Sequence, residues 1–252
     1  MIVLITGASA GFGASIARVL SAEGHRIIAA GRRADRLQAL AEELGGAEAV
    51  MPLVLDVTDR AAVAEAIAGL PAAWAEIDVL VNNAGLARGL APAQQAKLDD
   101  WETMIDTNIK GVTYVTHAVL PGMVARDRGH IVNMGSVAGT WPYPGGNVYG
   151  ATKAFVRNFS LNLRTDLLGT KVRVTNIEPG LVAGTEFSAV RFDGDQAKAA
   201  NVYANTTPLT SEDVAETVRW VVTLPAHFNV NTIEIMPVVQ AFAGLKVVKT
   251  EG

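Results

Sequence analysis

No cysteine occurs in the 252 residues. That excludes disulfides, thiolate metal sites and a cysteine nucleophile, and leaves the redox compartment open. Histidine is scarce as well. His25, His117, His130 and His227 show no metal-ligand spacing, and zinc demands ligands that converge in a fixed geometry, so no metal site is expected. Charged residues make up 18% with a formal net charge of −4 and no run of Lys or Arg, which argues against nucleic acid as a partner. Long apolar runs are missing too. Ile2-Val3-Leu4-Ile5 is too short for a signal peptide, and no uncharged stretch approaches bilayer length, so a cytoplasmic chain without a membrane partner is expected.

What the chain does contain is alternation. Short apolar runs at 2–6, 26–30, 49–55, 79–81, 130–134, 171–177 and 232–236 are separated by helix-like patterns at 13–23, 33–44, 59–70, 101–120, 148–167 and 211–224. Several runs are apolar at consecutive positions, as strands covered on both faces must be. The pattern predicts an α/β fold: one doubly wound, seven-stranded parallel sheet with helices on both faces, spanning 1–252 as a single domain. Pro52 breaks the third strand pattern, since proline cannot donate to a ladder. In a 3-2-1-4 order that strand is an edge, where proline is tolerated.

The first strand runs into Thr6-Gly7-Ala8-Ser9-Ala10-Gly11-Phe12-Gly13. Glycines there permit a tight turn and close approach of a pyrophosphate to a helix N-terminus. Alone such a turn serves equally as a plain strand-to-helix joint; its place after the first strand favours the phosphate. The second strand ends in Gly31-Arg32-Arg33, where an NAD site would carry an acid for the ribose 2′-hydroxyl. Two guanidiniums instead suit a 2′-phosphate, and cations sit poorly at a helix start without an anion. NADP(H) is therefore the expected cofactor. Asp56-Val57 follows the third strand, where Asp56 suits either an adenine amino group or a helix cap. Asn82-Asn83-Ala84-Gly85 ends the fourth; its amides can tie strand ends together while Gly85 admits the cofactor.

Tyr149 and Lys153 lie four apart on one helix face. A free phenol titrates near ~10, too high for a base at neutral pH, and a nearby ammonium together with an oxidised nicotinamide would lower that. Ser136 follows the fifth strand at its C-terminal end, where ligands of open α/β sheets bind; a plain Gly-Ser turn is the alternative. Asn108 is a polar amide inside a helical pattern, where such residues point outward or weaken the helix.

Residues 6–13, the Asn82–Gly85 turn, Asn108, Ser136, Tyr149, Lys153 and Pro179-Gly180 together resemble the ordered motif series of the short-chain dehydrogenase/reductase family, over essentially the whole chain. The resemblance implies a Rossmann fold, Tyr149 as general acid/base, and Lys153 lowering its pKa while binding the nicotinamide ribose. It further implies that Ser136 orients the carbonyl or hydroxyl, that Asn108 holds a proton-relaying water, and that residues 179–185, including Val182 and Thr185, clasp the nicotinamide. Within the family, the stretches 101–111, 135–167 and 177–188 are most similar to bacterial NADP-dependent 3-hydroxy acid dehydrogenases, which act on serine, allo-threonine and 3-hydroxypropionate. A homotetramer follows by the same resemblance, with helices near 115–120 and 154–167 and the C-terminal segment as its seams. A broad-range ketone or aldehyde reductase and a non-catalytic NADP-binding regulator are the competing functions, because fold does not fix substrate.

A carboxylated substrate brings an anion to a site already holding cofactor phosphates, so it needs a cation. Among Glu186, Arg191 and Lys198, in or beside the small and polar segment 187–203, Arg191 is the choice and Arg88 the fallback; pairing of Arg191 with Asp193 or Asp195 is the competing arrangement. Trp74, Trp101 and Trp220 read as packing. Trp141 and Tyr143, between Ser136 and Tyr149, are placed to wall the substrate pocket.

Overall fold

The computed structural model describes residues 1–242. Seven strands, β1 (Ile2–Thr6), β2 (Arg26–Gly31), β3 (Val50–Val54), β4 (Val79–Asn82), β5 (Gly129–Met134), β6 (Val172–Pro179) and β7 (Thr232–Ile235), form one parallel sheet in the order β3-β2-β1-β4-β5-β6-β7. Consecutive apolar residues are required because both faces are covered. Val3 and Ile5 point to one core with Ile16 and Leu20 of α1 (Gly11–Ala22) and Val214 and Val218 of α9 (Ser211–Thr223). Leu4 points to the other, with Val63 of α3 (Arg60–Ala68) and Val115 and Val119 of α5 (Val112–Ala125). Each such buried aliphatic side chain contributes roughly 1.5–3 kcal/mol. Pro52 lies on edge strand β3 opposite Ala29, so its missing N–H costs the ladder nothing.

Two regions differ from the sequence reading. The pattern at 101–120 is not one α-helix: α4 (Leu98–Ile105) passes through a π-helical turn, Asp106–Gly111, before α5 resumes. The segment 187–203 holds α7 (Phe187–Arg191) and α8 (Gln196–Asn201), separated by the left-handed residues Asp193 and Gly194 at φ 52° and 89°. Helices this short have weak periodicity, which is why they were missed. The remaining helices are α2 (Ala34–Glu43) and α6 (Asn147–Asp166). Part of the C-terminal segment expected to form an interface, 243–252, lies outside the described residues.

Strand order reverses between β1 and β4, and the crevice at such a switch point lies beyond the strands' C-terminal ends. The turns after β1, β2, β4 and β5 all open there.

Candidate active site

The crevice is lined along one side by Gly7, Ser9, Gly11 and Phe12, then Arg32, Arg33, Asp56 and Val57, and at its other end by Asn83, Gly85, Tyr149, Lys153 and Thr185. Gly7 and Gly11 adopt φ of 67° and 53°, which L side chains rarely take. Gly13 serves a different purpose from the expected cofactor contact. A Cβ there would lie 2.4 Å from the Gly7 carbonyl oxygen, so Gly13 lets α1 press against the turn and is not in the crevice wall.

The two asparagines of the β4 turn divide their tasks. Asn83 donates from Nδ2 to the Thr6 carbonyl at 2.8 Å and its backbone N–H donates to Thr6 Oγ1, binding β4 to β1. Asn82 points to the opposite side. It is buried and donates to Asn133 Oδ1 and Thr116 Oγ1 at 2.8 and 2.9 Å, tying β4 to β5 and α5. Its place among the cofactor contacts is therefore corrected to a tie beneath the crevice.

At the adenosine end, Arg33 donates from Nε and Nη2 to Ser9 Oγ at 3.2 and 3.1 Å, and from Nη1 to Glu186 Oε2 at 2.8 Å. Arg32 is 72% exposed, with its nearest carboxylate, Asp56, at 3.9 Å, and is open to an incoming anion. Asp56 accepts from the backbone N–H and hydroxyl of Thr58, while Asp59, not Asp56, caps α3. Ser9, Arg32 and Arg33 thus converge where a 2′-phosphate would lie, and the glycine cradle accommodates a pyrophosphate; the residues present fit NADP(H).

Ser136 follows β5 after Gly135, and two glycines fix it against α6. A Cβ on Gly139 would lie 2.7 Å from the Lys153 carbonyl carbon, and one on Gly150 would lie 2.9 Å from the Ala138 oxygen. This close docking brings Ser136 beside Tyr149 in the first turn of α6. Both are buried, as is Lys153, whose Nζ donates to the Met134 carbonyl at 2.8 Å and sits 5.9 Å from the Tyr149 ring centre. Burial pushes the Tyr149 phenol up to about 12, with the Ser136 hydroxyl and the Arg191 guanidinium pulling the other way. Burial also brings Lys153 down to about 8. Burial thus opposes the lowering expected from Lys153 and an oxidised nicotinamide, because it desolvates the phenolate.

Asn108 lies in the π-turn and points inward, not outward. Its Oδ1 accepts from Leu86 N–H at 2.9 Å, and Nδ2 donates to the Leu86 carbonyl and to Thr152 Oγ1 at 2.8 and 3.1 Å. The wide turn is the backbone's accommodation of that inward amide, a deformation often found at functional sites. Gly85 has Asn108 Oδ1 and Lys153 Nζ as its nearest neighbours, 3.3 and 3.4 Å from where a Cβ would stand.

Arg191 reaches the catalytic end. Its guanidinium lies 5.6 Å from the Tyr149 ring centre, donates to Tyr143 Oη at 2.7 Å and to the Gly89 carbonyl at 3.2 Å, and pairs with no carboxylate among the described residues. The competing arrangement does not occur, because Asp193 pairs with Arg88 and Asp195 with Lys198. Tyr143 therefore faces this end, whereas Trp141 turns away to donate to Glu234 and meet Phe242 at a tilt of 45°. Pro179, Gly180 and Val182 lie outside the crevice wall: Gly180 donates to Ile235 and Val182 pairs with Leu209. Sequence reading missed Phe187, which meets the Tyr149 ring edge-on at 5.7 Å, and Arg36, the second partner of Glu186.

Residues 1–196 match the sequence profile of the short chain dehydrogenase family. An NADP-dependent 3-hydroxy acid dehydrogenase of Salmonella typhi is 68% identical over 98% of this chain and 99% of its own. A serine 3-dehydrogenase of Rhizobium radiobacter is 52% identical, covering 97% of each. Among solved structures, the closed form of a serine dehydrogenase complexed with NADP+ superposes with a TM-score of 0.97 at 64% identity, over 99% of this chain and 100% of that one. The chain belongs to the short chain dehydrogenase family.

Proposed function

We propose that this chain is an NADP(H)-dependent oxidoreductase acting on a small 3-hydroxy acid, or on the corresponding semialdehyde or ketone, of the serine, allo-threonine and 3-hydroxypropionate type. One observation carries the substrate class: the Arg191 guanidinium, without a carboxylate partner among the described residues, stands over the Tyr149 ring beside the Tyr143 hydroxyl. A guanidinium grips a carboxylate with two parallel bonds, which orients the 3-carbon toward Tyr149. The likeness to enzymes named for 3-hydroxy acids and serine supports the same reading.

The geometry supports the following catalytic roles. The bound cofactor supplies or accepts the hydride and, when oxidised, adds a positive ring. In reduction, the Tyr149 phenol donates its proton to the carbonyl oxygen; burial keeps it protonated at neutral pH. In oxidation, the phenolate accepts that proton, with Arg191, Lys153 and the Ser136 hydroxyl stabilising the negative oxygen. Ser136 also binds the reacting oxygen of the substrate. Asn108 fixes the Leu86 backbone and Thr152, and the remaining lone pair on its carbonyl can receive a water beside Lys153. The whole chain acts as one dinucleotide-binding and catalytic unit in the proposal, and a cytoplasmic homotetramer belongs to it as well. The half-exposed Leu161 and Val124 support subunit contacts along α5 and α6.

The decisive experiment compares oxidation rates for serine, 3-hydroxypropionate and uncharged secondary alcohols, each with NADP+ and with NAD+. Preference for the hydroxy acids and for NADP+ is expected. Equal efficiency on alcohols would favour a broad-range reductase, and no turnover of any substrate would overturn the enzymatic reading.

A further inference from the structure

At the adenosine end, the β2–α2 turn and the start of α7 face each other across the mouth of the crevice. Glu186, immediately before α7, spans the gap. Its Oε2 accepts from Arg33 Nη1 at 2.8 Å and its Oε1 from Arg36 Nη1 at 2.7 Å. Each oxygen has its own arginine, one at the N-cap of α2 and one within its first turn, so the bridge has two anchors. Arg36 and Arg33 hold the Glu186 carboxyl below its ordinary range, which keeps it ionised at neutral pH. Arg33 is itself fixed by Ser9, so contacts run without a break from the β1–α1 turn to α7.

The far end of α7 is fastened as well. Gly89 N–H donates to the Arg191 carbonyl, Arg191 Nε donates back to Gly89, and Arg88 joins Asp193. Between the fastenings, Phe187 rests edge-on against Tyr149. Losing the Glu186 bridge would free the near end of α7 and with it the aromatic contact on Tyr149.

We infer that Glu186 is a positioning residue that latches α7 over the bound dinucleotide, with Arg33 and Arg36 as its two keepers, so that the cofactor leaves after the bridge opens. The inference rests on the NADP(H) reading above. Opening requires loss of two charge-assisted bonds at a solvent-exposed site, so release should quicken with ionic strength. The latch acts on the protein wall and not on the 2′-phosphate, so it delays release of NADH as well as NADPH.

The test is stopped-flow measurement of cofactor release, by fluorescence loss when preformed complexes of NADPH or NADH are chased with excess oxidised cofactor. Glu186→Gln should release both about three- to ten-fold faster. Arg36→Gln, which changes a residue outside the crevice wall, should do the same more weakly, and the double variant should be no faster than Glu186→Gln alone. Raised salt should speed the parent toward the variant. Unchanged release of both cofactors would overturn the latch. So would slower release of NADPH with NADH unaffected, because Glu186 would then be a competitor for the phosphate. Fluorescence titration of the parent with NADPH comes first: lack of binding there would refute the cofactor reading itself, whereas normal binding with unchanged release refutes the latch alone.

Discussion

Replacing Arg191 with methionine removes the guanidinium while keeping most of the unbranched stem, and two effects then separate. The first is the carboxylate grip. Charge-assisted hydrogen bonds contribute about 1.5–3 kcal/mol each, and after allowance for the half-exposed setting a bidentate grip should be worth about 2–3 kcal/mol, or about 30- to 150-fold in kcat/KM. The second effect concerns Tyr149. A positive charge 5.6 Å from the ring centre favours the phenolate by about 0.7 kcal/mol in water and about 3 kcal/mol at an effective dielectric of 20, so about 1–2 kcal/mol is reasonable here.

Only the second effect reaches uncharged substrates. Oxidation of a secondary alcohol should therefore fall about 5- to 30-fold, while a 3-hydroxy acid should fall by that factor multiplied by the loss of the grip. The assay is kcat/KM for 3-hydroxypropionate and for an uncharged alcohol of similar size, at saturating NADP+, in parent and Arg191→Met. The pH profile adds an independent check: the rise of the oxidation rate with pH should move to higher pH for both substrates, because the variant has lost a cation that favours the phenolate. Equal proportional losses on acid and alcohol would refute the grip. Arg191 would then support α7 through Gly89 and Tyr143, and the carboxylate would be held elsewhere or be absent from the true substrate.

Tyr149→Phe should lower turnover by about 10²- to 10⁴-fold with NADPH affinity nearly unchanged, since only the ionisable hydroxyl is lost; retention of more than about a tenth of the activity contradicts the acid/base role. Neutralising Arg32 and Arg33 together should raise KM for NADP+ far more than for NAD+, and unaltered discrimination would remove the phosphate assignment. His130 is 2% exposed, donates to or accepts from Thr175, and is held by burial well below its ordinary pKa. The unfolded state therefore binds a proton that the native state refuses, so stability present above pH ~6.5 falls as the pH drops, by up to about 1.4 kcal/mol per unit. Urea unfolding at pH 7.5, 6.5 and 5.5 should show a shallower acid loss for His130→Gln; an identical slope would assign the loss to other groups.

The fold could be read from the chain because its signals are local. Runs buried on both faces, the glycine turn after β1 and the edge-strand proline each follow from neighbours in sequence, and the sheet order agrees with all three. The juxtaposition of Tyr149 and Lys153 is likewise a matter of helical spacing. Asn82 and Asn83 differ for a reason set by tertiary contacts: Asn82, the last residue of β4, turns beneath the sheet to Thr116 and Asn133, whereas Asn83, just beyond it, reaches the Thr6 carbonyl. The inward turn of Asn108 had no local signal. Its partners, Leu86 and Thr152, are 22 and 44 residues away, and only their arrival makes a π-turn favourable over an outward amide.

The charge on Tyr149 exposes the same limit in energetic form. Spacing reveals the lysine that would favour a phenolate, whereas burial by α6, the Ser136 loop and Phe187 is a property of the assembled fold. In the folded protein burial prevails and the phenol is pushed up to about 12. The consequence is an asymmetry between the two directions of reaction. A buried, protonated phenol is ready to donate to a carbonyl, so reduction asks nothing further of the site. Oxidation needs the phenolate, and therefore needs positive charge assembled nearby: Lys153 from α6, Arg191 from α7 and the oxidised cofactor ring. Two of those three depend on α7 being closed and the crevice filled. Oxidation should consequently suffer more than reduction when α7 is loosened, and the ratio of forward to reverse kcat in Glu186→Gln measures it. A ratio equal to the parent's would mean that closure of α7 does not govern the charge around Tyr149.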